Sequence, residues 1–293
     1  MTERASGNDV SVEVVLIGVG GATCSGKTTL AKHLNRILPD SVIIHQDDFA
    51  PPMEEVPIHP VHGVQDWDAP AGAISWRRLV DTLRVIKKTG KIPPDHRSHD
   101  HLNEQKQIPV DPGVETRLIA ELQQAHQSAQ GRTGKKTIFG ILDGFLLYWH
   151  PGVIAELDVP IMLRVPEDVL KRRRTERHGY HTAGMAIIVL CGKTPPLTQT
   201  SILHIPLGLL LASVQSDMSE GALWRDPPGY WEDIVWPAYV EAHAELFEGG
   251  DVESGRQTGE KVPNLILLET LKMSMSEAVE KSCDVIREFL NSR

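Results

Sequence analysis

The sequence has few cysteines, and its basic residues are outnumbered by its acidic residues. The 293 residues include three cysteines, an odd set without the spacing of metal ligands or of a disulfide framework. This usage favours a reducing, cytoplasmic location. The formal charge of −9 argues against a protein that binds nucleic acid through a broad basic face. Small anionic ligands therefore require a local concentration of basic residues.

A targeting signal and a membrane-spanning run are also missing. The polar, acidic start MTERASGNDV lacks the layout of a secretion signal and of a transit peptide, so we interpret residues 1–11 as a disordered tail. One apolar segment, residues 185–214, is interrupted by Lys193, Gln199 and three prolines. Each remaining run is too short to cross a bilayer. We therefore expect no membrane association.

Short β-branched runs alternate with helical patterns along the chain. Strands are predicted at 12–18, 42–45, 137–142, 160–165 and 265–268, and helices at 27–38, 74–88, 114–130, 230–247 and 276–290. A further, very basic helix opens at Pro166. This alternation predicts an α/β fold of three layers, with a five-stranded parallel sheet and helices on both faces. We assign residues 12–293 to a single domain.

A phosphate-binding motif lies between the first predicted strand and the first predicted helix. Residues 21–28 match the pattern G-x-x-x-x-G-K-[ST] in full. Glycines allow the backbone N–H groups to surround a phosphate, Lys27 reaches the β and γ phosphates, and Thr28 holds Mg²⁺. The predicted nucleotide-binding residues of this loop are Gly21, Ala22, Thr23, Cys24, Ser25, Gly26, Lys27, Thr28 and Thr29.

Carboxylates follow two of the predicted strands. Asp47 and Asp48 end the second strand, beside the crevice where such sheets bind ligands. One of them can accept a proton from an attacking hydroxyl, and the alternative is an Asx turn that ends the strand. Asp143 ends the run ILDGF and is typical of the acidic residue that supports a metal, or of an ordinary turn. The pattern favours phosphoryl transfer, and the absence of the guanine-reading N-K-x-D motif disfavours a GTPase switch.

The basic helix carries the run KRRRTER at residues 171–177. Such a run is usually a solvated surface. In an acidic protein that neutralises a triphosphate, an arginine-rich lid over the nucleotide is the better interpretation.

Together these residues resemble the nicotinamide riboside kinases of the fungal type. This family is related to the uridine kinases and belongs to the P-loop nucleoside kinases. The matching segments are GATCSGKTTLAKHL, QDDF at 46–49, Trp67-Asp68, ILDGFLLY at 141–148, KRRRTER, and DPPGYWEDIVWPAY at 226–239. They cover most of the chain, and the last segment favours a riboside kinase over a generic P-loop kinase.

The resemblance implies transfer of the ATP γ-phosphate to the 5′-hydroxyl of nicotinamide riboside for NAD synthesis, with nicotinic acid riboside as a candidate second substrate. It implies that Asp47 is the general base and a neighbour of Mg²⁺, that Lys27 assists catalysis, and that Thr28 is a direct metal ligand. Trp67 would stack on the pyridine ring and Asp68 would bind the ribose hydroxyls. The implied substrate contacts are Asp47, Asp48, Phe49, Ala50, Trp67, Asp68, Asp143 and Arg174, and Arg173 and Arg177 would contact ATP. The expected partner is the small riboside alone, bound by a monomer or weak homodimer.

Two alternatives stay open at this point. One is a kinase of uridine or another nucleoside. The other is a non-catalytic nucleotide-binding regulator whose lid is disabled.

The chain departs from the family pattern in two places. His96, His99 and His101 lie in a long polar loop, where the spacing suggests zinc but a solvated loop is the preferred interpretation because no further ligand cluster accompanies them. Residues 184–219 are interposed in the lid region 166–230, and they are apolar and poor in charge. We interpret this segment as a retained in-frame intron, because its excision restores the family spacing; a lineage-specific insertion is the alternative. In either case closure of the lid over ATP is in doubt.

Overall fold

A computed structural model of the chain describes residues 11–98, 100, 106–177, 180–181 and 223–293. Nearly all of the predicted tail and the whole of the predicted insertion at 184–219 lie outside the described residues. Among the helices of the described part, none combines the length and the apolar character that a membrane span requires.

Five parallel strands form the central sheet. They are β1 (Val12–Gly21), β2 (Ser41–His45), β3 (Lys136–Gly144), β4 (Val159–Arg164) and β5 (Ile266–Glu269). Their spatial order is β2-β3-β1-β4-β5, and every pairing is parallel. The strand that leads into the phosphate loop is therefore central, as the pattern of buried β-branched runs predicts.

Helices cover both faces of this sheet. They are α1 (Lys27–Ile37), α2 (Trp76–Thr89), α3 (Pro112–Thr133), α4 (Pro151–Ile154), α5 (Glu167–Glu176), α6 (Trp236–His243) and α7 (Met275–Asn291).

Residues of β1 alternate between the two layers because successive side chains of a strand point to opposite faces. Leu16 packs in the core that includes α2 and the Trp231–Val235 segment, whereas Ile17 packs in the core with α1, α3 and α7. Each such fully buried aliphatic side chain contributes about 1.5–3 kcal/mol. The predicted three-layer α/β architecture is confirmed.

The predicted helix at 230–247 is instead three short helical pieces. A π-helical turn, Trp231–Val235, precedes α6, and a 3₁₀ turn, Ala244–Leu246, follows it. Pro237 lies in the first turn of α6 and has no N–H to donate, which accounts for the wider turn before it.

A small antiparallel ribbon, which the sequence patterns did not predict, lies between α5 and the π-helical turn. Its strands are Tyr180–His181 and Leu223–Trp224, and His181 is the register partner of Leu223. The two segments that flank residues 182–222 are therefore paired with each other.

Candidate active site

The phosphate loop follows β1 and ends at the first turn of α1. Gly26 has a φ of 97°, the left-handed conformation that precedes the helix. Gly21 has a φ of 143°, and a Cβ atom there would lie 2.6 Å from the carbonyl oxygen of Leu163. The backbone N–H of Ser25 donates to the carbonyl of Ala22 at 3.2 Å, which closes the turn. The N–H groups at the start of α1 form a site that favours an anion.

The carboxyl ends of β2 and β3 lie next to this loop. His45 is the register partner of Asp143, and its Nδ1 lies 3.2 Å from Asp143 Oδ2. Desolvation lowers the pKa of His45, but the hydrogen bond and charge of Asp143, with the nearby charges of Asp100 and Asp48, raise it above its ordinary value overall. Asp143 lies at the end of β3, as the run ILDGF predicts.

Asp47 and Asp48 lie in a 3₁₀ turn, Gln46–Phe49, that directly follows β2. Asp47 is exposed on the open side of the turn, with protein around its remaining sides. Loss of solvation raises the pKa of Asp47, opposed by the charge of Lys27. The side chain of Asp48 is only 3% exposed, and Oδ2 lies 3.4 Å from His96 Nε2. The two adjacent carboxylates therefore have different environments.

A cavity adjoins the phosphate loop and has a mostly apolar, aromatic wall. The segment that resembles the riboside kinases builds one side of it, where Trp236 stacks on Tyr239 at 5.3 Å and on Trp231 at 6.2 Å. Asp68 is the one charged residue among those that line the cavity in the described part of the chain. The lining residues are Ala22, Thr23, Asp68, Phe145, Leu146, Trp231, Val235, Trp236 and Tyr239.

Asp68 is held at the cavity by local and distant contacts. Its N–H donates to Asp66 Oδ1 at 3.1 Å, and its Oδ2 accepts from the Tyr230 hydroxyl at 3.3 Å. Burial raises the pKa of Asp68 from 3.8 to about 6. The positive charge of Arg174 acts in the opposite direction and lowers this pKa. Burial also raises the pKa of Tyr230 far above its ordinary range, so this hydroxyl stays a donor. The indole Nε1 of the neighbouring Trp67 is buried and has no hydrogen-bond partner in the described structure.

The arginines of α5 contact two parts of the site. Arg173 Nη1 donates to the carbonyl of Cys24 in the phosphate loop at 3.2 Å. Arg174 forms a bidentate pair with Asp226, with N–O distances of 2.5 and 2.9 Å, and its side chain is 9% exposed. Arg177 lies at the C-terminal cap of α5. The basic run is therefore not a uniformly solvated surface, and the contacts of Arg173 and Arg177 with ATP stay predictions.

Of the eight predicted substrate contacts, Asp68 alone is among the described residues that line the cavity, and the other seven are not: Asp47, Asp48, Phe49, Ala50, Trp67, Asp143 and Arg174. The ring of Phe49 is 2% exposed and stacks on His96, with 5.3 Å between the ring centroids. Asp48 also faces His96, and Ala50 presents its carbonyl to Arg78 at 3.2 Å. The contacts of all eight residues with a substrate stay predictions.

The described residues contain no cluster of three or more His, Cys, Asp or Glu side chains that would hold a metal ion. Asp143 Oδ1 is nevertheless buried without a hydrogen-bond partner among them, beside the carboxylate of Asp47. An uncompensated carboxylate oxygen at the phosphate loop fits a cation that takes few protein ligands, since Mg²⁺ in such sites is held mainly by water and phosphates.

Sequence patterns missed several residues of the site. Tyr230 and Trp231 lie in the recognised DPPGYW segment, yet nothing in that segment indicated which carboxylate Tyr230 would contact. Arg78 lies on an ordinary amphipathic helix, α2, and its Nη2 donates to the carbonyl of Asp48 at 2.8 Å. His96 carried a signal, the histidine spacing, but the expectation of a solvated loop is wrong for this side chain, which is 13% exposed.

Known proteins similar to the chain are nicotinamide riboside kinases. The human nicotinamide riboside kinase 1 is 49% identical over 238 residues, which cover 80% of this chain and 79% of the human protein. The nicotinamide riboside kinase of Schizosaccharomyces pombe is 29% identical over 279 residues, with 95% and 98% covered, and that of Saccharomyces cerevisiae is 29% identical over 244 residues, with 83% of each covered. No protein-family model matches the chain. The similarity covers most of the chain and of these relatives, and the chain belongs to the nicotinamide riboside kinase family.

Proposed function

We propose that this chain phosphorylates nicotinamide riboside at the ribose 5′-hydroxyl with ATP as the phosphoryl donor. The observation that carries the proposal is the aromatic cavity beside the phosphate loop, with the carboxylate of Asp68 in its wall.

The side chains that line this small cavity have the chemistry to contact a flat, cationic ring. Nicotinamide riboside carries a pyridinium, and aromatic faces attract a cation by about 0.5–2 kcal/mol each, more as water is excluded. The stacked rings of Trp231, Trp236 and Tyr239 form the aromatic wall, and Asp68 supplies an anion whose oxygens also accept hydrogen bonds from ribose hydroxyls. Uridine is neutral and gains less from the same wall. Nicotinic acid riboside adds a carboxylate to the ring and is expected to bind more weakly.

The phosphate loop binds the donor. Backbone N–H groups at the start of α1 and the ammonium of Lys27 face the position of the phosphates. Arg173 donates to the Cys24 carbonyl of the loop, so its guanidinium lies beside the proposed place of the phosphates, and guanidinium groups bind phosphate oxygens strongly. In this role α5 acts as the predicted arginine-rich lid.

Asp47 acts as the general base. Its carboxylate is exposed at the open side of the turn and close enough to Lys27 and Asp143 for their charges to change its pKa. The raised pKa makes it a stronger acceptor of the proton that leaves the 5′-hydroxyl as the oxygen attacks the γ-phosphorus. The charge of Lys27 opposes this rise in pKa and favours the ionised carboxylate. Thr28, Asp47 and the unpaired oxygen of Asp143 would hold Mg²⁺, which neutralises phosphate charge when bound.

The alternative of a non-catalytic regulator requires that the insertion separate the basic helix from the rest of the site. Contacts between the segments before and after the insertion argue against such a separation. Arg174 on α5 pairs with Asp226, and Lys171 on α5 pairs with Glu232, so residues before and after the insertion are joined directly. We therefore propose that the full chain is an active kinase. We further propose that it acts in the cytoplasm as a monomer or weak homodimer on its small-molecule substrate alone.

The test is riboside-dependent ADP release by the full chain, with nicotinamide riboside, nicotinic acid riboside and uridine compared at equal concentration. Nicotinamide riboside should give the highest kcat/KM. Asp47→Ala should lower kcat by about 10²- to 10⁴-fold while ATP binding is retained. Asp81→Asn is the matched control, because Asp81 is a 59% exposed carboxylate on α2 and its loss should leave kcat unchanged.

Each contrary result identifies a different error. Turnover on uridine but not on nicotinamide riboside would establish the other nucleoside kinase. Tight ATP binding without turnover on any riboside, by the full chain and by a chain lacking residues 184–219, would establish the regulator. Retained kcat in Asp47→Ala would remove Asp47 from the base role.

A further inference from the structure

The polar loop between α2 and α3 contacts the 3₁₀ turn Gln46–Phe49, which includes Asp47. His96 lies 48 residues after Asp48 in the sequence, yet its Nε2 is 3.4 Å from Asp48 Oδ2. Both side chains are largely buried, at 13% and 3% exposed. A charged or polar contact withdrawn from water in this way is stronger than the same contact on the surface.

The same imidazole also holds the next residue of the turn. The rings of His96 and Phe49 stack with 5.3 Å between centroids and 30° between planes. The guanidinium of Arg78 lies 5.2 Å from the centroid of the Phe49 ring, and it donates to the carbonyls of Asp48 and Ala50. The turn is thus held through its backbone by Arg78 and through two of its side chains by His96.

The loop between α2 and α3 also contacts the carboxyl end of β2. Asp100 pairs with Lys32 of α1 at 2.6 Å, and its Oδ2 lies 3.9 Å from Nε2 of His45. His45 in turn contacts Asp143. Two side chains of one loop therefore contact the segment of residues 45–49, which includes Asp47.

We propose that His96 is a positioning residue for phosphoryl transfer. By holding Asp48 and Phe49 on the inner side of the 3₁₀ turn, it fixes the opposite side, where Asp47 faces the reacting groups. Without the imidazole, Asp48 and Phe49 lose their contacts with the loop, and the carboxylate of Asp47 samples positions outside hydrogen-bond reach of the acceptor hydroxyl. A misplacement of about 1 Å costs up to about 100-fold in rate.

This proposal rests on the proposed function for its kinetic test. His96→Ala is expected to lower kcat about 10- to 100-fold while KM for ATP stays within twofold, because the phosphate loop makes no contact with His96 among those described. His96→Gln keeps a side-chain N–H donor and should recover at least a third of the lost kcat. In a double-mutant cycle, Asp48→Asn should cost much less on the His96→Ala background than alone. Asp95→Ala, an exposed position one residue away, is the control and should retain kcat.

Two results would overturn the proposal. One is an unchanged kcat in His96→Ala. The other is an equal loss of kcat in His96→Ala and His96→Gln together with an equal fall in the free energy of unfolding, which would make the role purely structural.

A second measurement does not depend on the substrate. In histidine ring ¹H–¹⁵N spectra, Asp48→Asn should shift the His96 signals, whereas Asp81→Asn should not. Wild-type protein that turns over no riboside would refute the proposed function, and the spectra would then still decide the His96–Asp48 contact: unshifted His96 signals overturn it.

Discussion

Asp68→Asn should make the protein more stable while weakening its binding of the riboside. The fold holds the Asp68 carboxylate in a poorly solvated place where burial raises its pKa from 3.8 to about 6. At 1.36 kcal/mol per pKa unit, the ionised side chain destabilises the folded state by about 3 kcal/mol at neutral pH. Asparagine has nearly the same shape, carries no charge and still accepts a hydrogen bond from Tyr230.

The pH dependence of this effect has a definite sign. Below about pH 4, Asp68 is protonated in both the folded and the unfolded chain, so the charge contributes no difference between wild type and Asp68→Asn. Between pH 3.8 and about 6 the unfolded chain releases this proton first, and the free energy of unfolding of the wild type falls relative to the variant. Above about pH 6 the difference reaches its plateau of about 3 kcal/mol.

Urea unfolding at several pH values between 4.5 and 8, followed by tryptophan fluorescence, measures this difference. The midpoint of thermal unfolding should also rise by about 6 °C at pH 7.5. Isothermal titration with nicotinamide riboside should show weaker binding by the variant, because the anion that faces the pyridinium and the ribose is gone. Asp81→Asn controls for a general change of net charge. A variant that is no more stable than the wild type at pH 7.5, or a difference that is the same at pH 4.5, would refute the reasoning.

Three further outcomes are expected. Asp226→Asn should lower kcat about tenfold, because it leaves the buried guanidinium of Arg174 without its carboxylate partner, whereas Glu232→Gln on the exposed pair should have little effect; steady-state kinetics compare the two. Tyr148→Phe should lower the free energy of unfolding by about 1 kcal/mol at unchanged kcat, because it removes a buried hydroxyl that donates to strand carbonyls, and urea unfolding measures this. Removal of residues 184–219 should leave kcat for nicotinamide riboside within about threefold of the full chain, and a larger change would mean that the insertion acts on the site.

The parts of the fold that were predictable from sequence depend on local patterns. The β1 run, the glycine loop and α1 follow one another within 30 residues, and both the buried strand and the helix repeat are visible in the residues themselves. The strand-end position of Asp143 follows from the same reasoning, since the carboxyl ends of parallel strands meet at one edge. The geometry of the glycine loop and of the neighbouring strand ends was therefore largely predictable.

The contacts that could not be predicted from the sequence depend on which distant segments pack together. Nothing local in the sequence pairs His96 with Asp48, because the contact depends on how the loop between α2 and α3 folds back over β2. The bidentate contact of Arg174 with Asp226 joins residues 52 positions apart, across the insertion. Residue type alone indicated that Arg174 would meet an anion, and it could not distinguish a substrate from a neighbouring carboxylate.

The paired ribbon at Tyr180–His181 and Leu223–Trp224 has a practical consequence for engineering. Neighbouring strands lie about 5 Å apart, so the two chain ends at residues 181 and 223 are separated by little more than one strand spacing. Many compact domains have termini at a similar separation and can be inserted at such a place without pulling the host apart. A compact domain such as a fluorescent protein should therefore be accepted there, between α5 and the aromatic wall, without separating Arg174 from Asp226.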